Sequence, residues 1–310
     1  MLYDVHTHIG LDTAFYLRSW WPYSATVQDL IQHMDASRID RAAAFTFCTP
    51  SAFDPYAFAG SGEVKLLPGR FPFDRENDLL ATELERVDTG KRLMQFGMFD
   101  PAREVPKQVK SLEKLASAKR LTGLKTQATI IQSTVRTLLD AGKDLMLLAE
   151  RHNLPVVIHT SIIDNDPWSQ TRDCLDVAEA FPKVRFNLAH SLRFHLPSLK
   201  RAAQMPNVWS DNSAHLVHCR LAHENVPTVA KSIERVKADY SKPVEVLQAV
   251  NDALGGKSLW GSDNPFMSWC DDSIAAVYTY KAEADVLHGL PEQVRTQIGT
   301  KNAEAWLFGK

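Results

Sequence analysis

His6 and His8 stand one residue apart in the opening segment MLYDVHTHIG. In an extended strand, residues i and i+2 project from one face, so the two imidazoles would lie side by side. An isolated HxH is more often two unrelated surface histidines, but here the pair ends an apolar run. Three further polar residues close apolar runs elsewhere: His159 in LPVVIHT, His190 in VRFNLAH and Asp263 in LWGSD. One histidine at a strand end is usually a satisfied structural residue; three such residues on separate strands are harder to assign that way. Imidazoles with a carboxylate suit one divalent metal ion, Zn²⁺ first and Mn²⁺ or Fe²⁺ as alternatives, with a position left for water. Each ligand type is neutral or singly anionic near neutral pH, so binding requires no unusual ionisation.

What must position these residues is a set of short apolar segments alternating with amphipathic ones. Strands are expected at Leu2–His8, Arg41–Phe47, Leu93–Phe99, Gly123–Ala128, Pro155–His159, Val184–His190, Val208–Asn212 and Ser258–Asp263. Their Val, Leu, Ile and Phe content with little alternation fits parallel strands covered on both sides. Helices are expected at Thr26–Ser37, Arg75–Val87, Pro106–Ala118, Thr134–His152, Asp173–Phe181, Leu196–Ala203, Pro243–Leu254, Asp271–Leu287 and about Glu292–Trp306. Eight strand–helix units without a break read as a TIM (β/α)8 barrel, one domain over residues 1–310. An open doubly wound sheet is the runner-up, and the absence of GxGxxG after the first strand counts against it. The irregular stretch Thr49–Asp74 between strands two and three would emerge at the C-terminal face, where barrel active sites form.

Composition narrows the function classes. Of 310 residues, 45% are hydrophobic and 23% charged, which excludes a disordered or low-complexity chain. Thirty-five Lys+Arg against 37 Asp+Glu leave a net charge of −2, so no bulk field favours nucleic acid or an acidic membrane. No apolar run reaches the roughly 18 residues of a membrane helix, and no signal peptide is visible. Cys48, Cys174, Cys219 and Cys270 show no CxxC spacing, against both a disulfide framework and a cysteine zinc site. The expectation is a cytoplasmic protein, monomer or homodimer, whose partner is a small molecule.

DVHTH, GLK, IHT, LAH and GSDNP, in that order and ending in KNAEAWLFG, resemble the amidohydrolase superfamily over essentially the whole chain. The chain is more closely similar to the amidohydrolase-related branch that includes aminocarboxymuconate semialdehyde decarboxylase and several lactonases. The resemblance implies that His6, His8, His159 and Asp263 bind one metal. It also implies that His190 acts beside the metal or substrate as an acid/base or electrostatic group, with Asp263 able to take a proton. A bound divalent metal lowers the pKa of its water from about 15.7 toward roughly 7.

Lys125 and Gln127 share a face of strand four, in GLKTQ where relatives more often read GVKLH. Lys125 has three readings: an anchor for a substrate carboxylate, which is preferred; an outward solvated lysine; or the carboxylated lysine that bridges two ions in the binuclear branch. Gln127 is taken as substrate-binding with it. Arg193, three residues beyond His190, is suited to bidentate carboxylate recognition or to capping a helix. Asp4 alternates with His6 and would either support it from behind or cap the strand. His195, His215 and His218 close no strand and are expected at the rim or in solvent. His33, His152, His223 and His288 are given no role. Phe15, Tyr16, Trp20, Trp21, Tyr23, Phe53, Tyr56 and Phe58 would form an aromatic wall at the rim.

The expected activity is hydrolysis of a lactone, ester or amide bond in a small carboxylated or carbonyl-bearing molecule. Non-oxidative decarboxylation of an unsaturated or aromatic acid is the alternative. A TatD-like nuclease is disfavoured because strand four has no GEIGLD-like glutamate, and a histidinol-phosphatase-type phosphoesterase because SDNP replaces DxH. A catalytically silent metal-binding barrel is the reading outside enzymology.

Overall fold

The computed structural model describes residues 1–18, 24–270 and 275–309. Eight strands follow one another around a single parallel sheet in chain order: β1 (Tyr3–Ile9), β2 (Arg41–Thr46), β3 (Leu93–Met98), β4 (Gly123–Thr126), β5 (Val156–Ile158), β6 (Phe186–Leu188), β7 (Val208–Asp211) and β8 (Ser258–Leu259). The segment after β8 then runs along β1. Val5 N donates to Trp260 O (3.0 Å), Asp263 N to His6 O (2.9 Å) and His8 N to Asn264 O (2.7 Å). These bonds close the sheet into the expected (β/α)8 barrel.

Two apolar layers hold it. Inside lie Tyr3, Val5, Phe45, Met94, Phe96, Met98, Val157 and Leu259, with Trp306 of the last helix stacked on Phe96 at 5.5 Å between centroids. Outside, strand residues such as Ala42, Ala44, Val156 and Leu188 pack against the apolar stripes of the surrounding helices. The ladders of β5, β6 and β8 stop short of His159, His190 and Asp263, so these residues begin the loops of the C-terminal face.

Helices depart from expectation where turn chemistry intervenes. Thr134–His152 is not one helix: a 3₁₀ turn at Val135–Leu139 is followed by a helix at Lys143–Arg151. Gly142 marks the break, since a Cβ there would lie 2.2 Å from Pro101 O. The stretch 49–74 contains a helix at Pro55–Ser61, capped by Asp54. Helices also form at Thr13–Leu17 and His215–His223, where none was expected. The expected helix from Asp271 begins only at Tyr280, after a short antiparallel pair, β9 (Trp269–Cys270) and β10 (Ala275–Ala276); residues 271–274 lie outside the described set. Among the described residues, no helix is long and apolar enough to cross a membrane.

Candidate metal centre and the arm facing it

A bulge in β1 aims the two histidines. Asp4 pairs with Ala42 and Thr7 with Ala44, so β1 spends one residue more than β2 over that stretch. Val5 therefore packs in the interior cluster, and His6 also turns inward, its ring 5.2 Å from that of Phe45. His8, opposite Phe45 in register, joins it. Simple alternation would have put Asp4 on the same face as His6; the bulge breaks that alternation. Asp4 Oδ1 instead accepts from the backbone amides of His6 and Ser262, each at 3.0 Å, and ties β1 to the chain after β8. Burial raises its pKa to about 6, against the lowering effect of those amides.

Asp263 arrives through a close backbone approach. A Cβ on Gly261 would lie 2.7 Å from His6 Cβ, so only glycine lets the segment pass there. Asp263, at φ 61°, then places Oδ1 3.2 Å from His6 Nε2 and 3.6 Å from His8 Nε2. The ligand atoms of His6, His8 and Asp263 all lie within 4.8 Å of one another. Behind them, His6 Nδ1 lies 2.9 Å from Asp211 Oδ2 and His8 Nδ1 2.9 Å from Thr46 O. Both oxygens can only accept, so each ring carries a proton on Nδ1 and turns Nε2 toward Asp263. Two imidazole nitrogens and a carboxylate oxygen converge in this buried site, with Lys125 Nζ 3.2 Å from His6 Nε2. This donor set fits a divalent ion.

Lys125 enters the same space. It is fully buried, with Nζ 3.2 Å from His6 Nε2 and 5.5 Å from the centre of the Phe45 ring. Burial lowers its pKa, opposed in part by Asp211 and Asp263. The solvated reading of this lysine is excluded. Gln127 is also buried, and its Oε1 accepts from Ile130 N at 2.8 Å, fixing the turn after β4.

The structure does not bring His159 into the His6–His8–Asp263 cluster. Its Nδ1 lies 2.9 Å from His190 Nε2 and its Nε2 3.0 Å from Arg193 Nη2. His190 Nδ1 faces Ser213 O (3.1 Å) and Ser213 Oγ (2.9 Å). Because the carbonyl accepts only, the direction of the chain is determined: Arg193 donates to His159, His159 to His190, and His190 to Ser213. Arg193 also donates from Nε to Thr160 O (2.7 Å) and from Nη1 to His218 Nε2 (2.6 Å). Burial lowers its pKa to about 10, with Asp263 and Asp166 opposing, which leaves it a cation at neutral pH. Burial likewise pushes His8, His159, His190 and His218 well below the ordinary histidine value, so these rings are neutral.

This arm is built on strained backbone. His190, Ser191, Leu192, Arg193 and Phe194 all have φ between 46° and 62°, a left-handed turn without glycine. Such a turn costs roughly 1–2 kcal/mol per residue and persists only where surroundings hold it. His190 N donates to Asp211 Oδ1 (3.1 Å), while Ala230 N and Val236 N donate to Arg193 O and Phe194 O.

Three residues of the site escaped sequence reasoning. Asp211 closes β7 in VWSD, by the same strand-end rule that singled out Asp263, so the signal was present. Ser213 had no signal of its own. His218, expected at the solvent-facing rim, is buried on the helix His215–His223 and meets Arg193; that helix was not read, so its inward face was not either. His195 is half-buried and pairs with Ser198. The aromatic wall is only partly as expected. Phe53 and Phe58 bury one another, Tyr16 and Tyr56 are exposed, and Trp20, Trp21 and Tyr23 lie outside the described residues. Beside His8 stand Phe47 and Phe266, with Phe15 against Phe266.

The family model described as "Amidohydrolase" matches residues 3–309. The chain belongs to the amidohydrolase family. No curated protein matches it significantly. Among solved structures it is similar to an amidohydrolase from Burkholderia multivorans with bound HEPES, at 16% identity, 99% of each chain and TM-score 0.62. An amidohydrolase from the same organism with bound zinc matches at 15% identity, 99% of each chain and TM-score 0.61. A probable 2-pyrone-4,6-dicarboxylic acid hydrolase from Acinetobacter baumannii with citric acid bound matches at 14% identity, 100% of this chain and 99% of that one, and TM-score 0.60. At these identities the likeness is one of fold. Within that family fold, His6, His8 and Asp263 form a triad that could hold a metal ion at the C-terminal face of the barrel, where barrel enzymes keep their active sites.

Proposed function

We propose that this amidohydrolase cleaves a lactone, ester or amide bond in a small molecule bearing a carboxylate, with Zn²⁺ as its metal, and that it sits with the decarboxylase- and lactonase-containing branch of the superfamily. The observation that carries the reading is the opposite polarity of two facing arms. One side offers two imidazole nitrogens and a carboxylate, with Lys125 Nζ beside His6; the other offers the buried Arg193 cation, with no carboxylate in ion-pair contact among the described residues. Three of its five N–H donors are spent on Thr160, His218 and His159, and the remaining two suit a substrate carboxylate.

His6, His8 and Asp263 would hold the ion, with His159 as a fourth ligand if its ring turns away from Arg193. When bound, the ion supplies Lewis acidity and a more acidic water. Asp263 takes a proton at its carboxylate, which burial makes more basic than an exposed aspartate. With His159 turned toward the ion, His190 Nε2 would be free to take a proton and pass it to the leaving oxygen or nitrogen, while its Nδ1–H stays on Ser213 O. Arg193 orients the substrate carboxylate, and Lys125 offers a second cationic anchor close to His6. The zinc-bound and citric-acid-bound relatives support the metal and the anionic ligand class.

The depth of Arg193 favours one second reading. A carboxylate drawn beside His159 and His190 leaves water and could be the group lost, as in non-oxidative decarboxylation. A panel of lactones, esters, amides and unsaturated or aromatic acids tests both readings. Hydrolysis of a lactone or ester releases titratable acid, that of an amide releases an amine, and neither releases CO₂; decarboxylation releases CO₂ and consumes a proton. No turnover of any carboxylated compound by zinc-loaded protein would overturn the proposal.

A further inference from the structure

Asp211 makes the densest set of contacts in the site. It is fully buried, and every group hydrogen-bonded to its carboxylate is a donor. Oδ2 accepts from His6 Nδ1 (2.9 Å) and Asn187 Nδ2 (2.7 Å). Oδ1 accepts from His190 N (3.1 Å), Ser213 N (3.0 Å) and Ser213 Oγ (2.6 Å). One carboxylate thus reaches the metal triad through an imidazole and the opposing arm through the first residue of the left-handed turn. Ser213, in donating its hydroxyl proton to Asp211, presents an oxygen that can only accept at His190 Nδ1 (2.9 Å).

We propose that Asp211 is the positioning residue of this active site, a single carboxylate that sets the proton position of His6 and, through Ser213, supports that of His190. On the His6 side it holds the proton at Nδ1 and turns Nε2 toward the metal position. On the His190 side it holds the Ser213 hydroxyl so that its oxygen accepts, beside the Ser213 carbonyl that already receives the His190 Nδ1 proton. Its alternatives would each undo one arm. An apolar residue would leave five donors buried without an acceptor. An asparagine would keep an acceptor for one cluster of donors and present an N–H to the other. With three donors on Oδ1, the amide group falls at the Oδ2 position. His6 could then face it only by accepting at Nδ1, which moves its proton to Nε2 and blocks the metal position.

The inference rests on His6 being a metal ligand, and two measurements separate its failure from that of the metal reading. The first uses the unaltered protein, ¹⁵N-labelled at histidine, as purified and after chelation. Long-range ¹H–¹⁵N correlation is expected to show His6 and His190 protonated at Nδ1 in the chelated protein. Nε2–H on His6 would overturn the proposal whether or not the protein binds zinc. The second compares Asp211→Asn with Asn187→Ser, which removes a donor from the same carboxylate without touching the His6 proton. Asp211→Asn is expected to fold, to move the His6 proton to Nε2, and to weaken Zn²⁺ binding about ten- to a hundredfold, the usual effect of losing a ligand's orienting partner. Asn187→Ser is expected to lower Tm while keeping the wild-type tautomers and Zn²⁺ affinity within about threefold. Equal loss of Zn²⁺ affinity in both variants, with unchanged tautomers, would reduce Asp211 to a packing residue. Should Asp211→Asn not fold, the wild-type tautomers alone decide. Wild-type tautomers as expected with no Zn²⁺ uptake would leave Asp211 as the positioning residue and remove the metal reading.

Discussion

Two groups of histidines face one another across the mouth of this barrel, and their protons differ in direction. At the β1–β8 side, His6 and His8 send their N–H bonds outward, to Asp211 and Thr46, and leave lone pairs pointing inward. At the β5–β6 side every lone pair of His159 and His190 receives a donor, in a chain that starts at Arg193. The first presents ligand atoms that a divalent ion could join, with Lys125 Nζ 3.2 Å from His6 Nε2. The second is complete in itself and has cationic N–H groups to spare. Residue type alone would have pooled all four histidines as ligands; the acceptors behind each ring divide them into a cation pole and an anion pole.

The largest effect should come from emptying the cation pole. His6→Ala removes a ligand and the contact to Asp211 together. Metal content, expected at about one divalent ion per chain in protein never exposed to chelator, should fall to background, and turnover by about a thousandfold or more, some 4 kcal/mol of barrier. Stoichiometric metal surviving in His6→Ala would break the division, because the ion would then be held elsewhere.

His190→Asn probes the seam between the poles. Loss of a general acid or base typically costs about a hundred- to ten-thousandfold, and the metal content should stay near the wild-type value. If instead the metal is lost, His190 is a ligand and the two arms form one binuclear site.

The anion pole is tested by charge. Arg193→Leu and Lys125→Ala each remove one charge-assisted contact, roughly 1.5–3 kcal/mol or about ten- to a hundredfold in kcat/KM for a carboxylated substrate. An uncharged ester of the same compound should show little change with Lys125→Ala and a smaller loss than the acid with Arg193→Leu, which also removes the donor to His159. Lys125→Ala also decides the role of this lysine. As an anchor it leaves the metal count near one. As a carboxylated bridge its loss strips metal, and bicarbonate becomes necessary to reconstitute the wild type.

Much of this architecture was legible in the sequence, for reasons that also explain what was missed. The eight apolar runs marked the strands because a parallel sheet covered on both faces tolerates few polar residues. Residues ending those runs had to lie at one rim, which brought out His6, His8, His159, His190 and Asp263 without reference to their contacts. The same rule applied to Asp211 would have found it. Which nitrogen each ring uses depends on backbone acceptors such as Thr46 O and Ser213 O, and on the left-handed turn His190–Phe194; no periodicity encodes either. The bulge that turns His6 inward and leaves Asp4 outside breaks the very alternation on which strand reading depends. His218 was misplaced because the helix carrying it had not been recognised.

The smallest effect expected is on stability, and it bears on how the anion pole is maintained. His215 lies on the same helix as His218, buried, with Nε2 2.8 Å from Pro243 O. Burial lowers its pKa from 6.5 to about 4, so the folded protein binds this proton less readily than the unfolded chain. Such a depressed base contributes stability that is complete above the unfolded value and is lost as pH falls toward the folded one. For His215 alone the loss at pH 5 is about 2 kcal/mol, a few degrees in Tm. His215→Leu forfeits the bond to Pro243, so its Tm at pH 8 can lie on either side of wild type; the informative quantity is the slope of Tm between pH 6.5 and 4, which should be shallower than in wild type. His159, His190 and His218 on the Arg193 side are held neutral by the same burial, against His8 alone on β1, so most of the residual slope should belong to the Arg193 side of the barrel. Hydrogen exchange at pH 5 should accordingly show the segments around residues 190–194 and 215–223 opening before β1 and β2. Protection lost first at β1 would mean that the cation pole, not the histidine-rich arm, is the acid-sensitive half of the site.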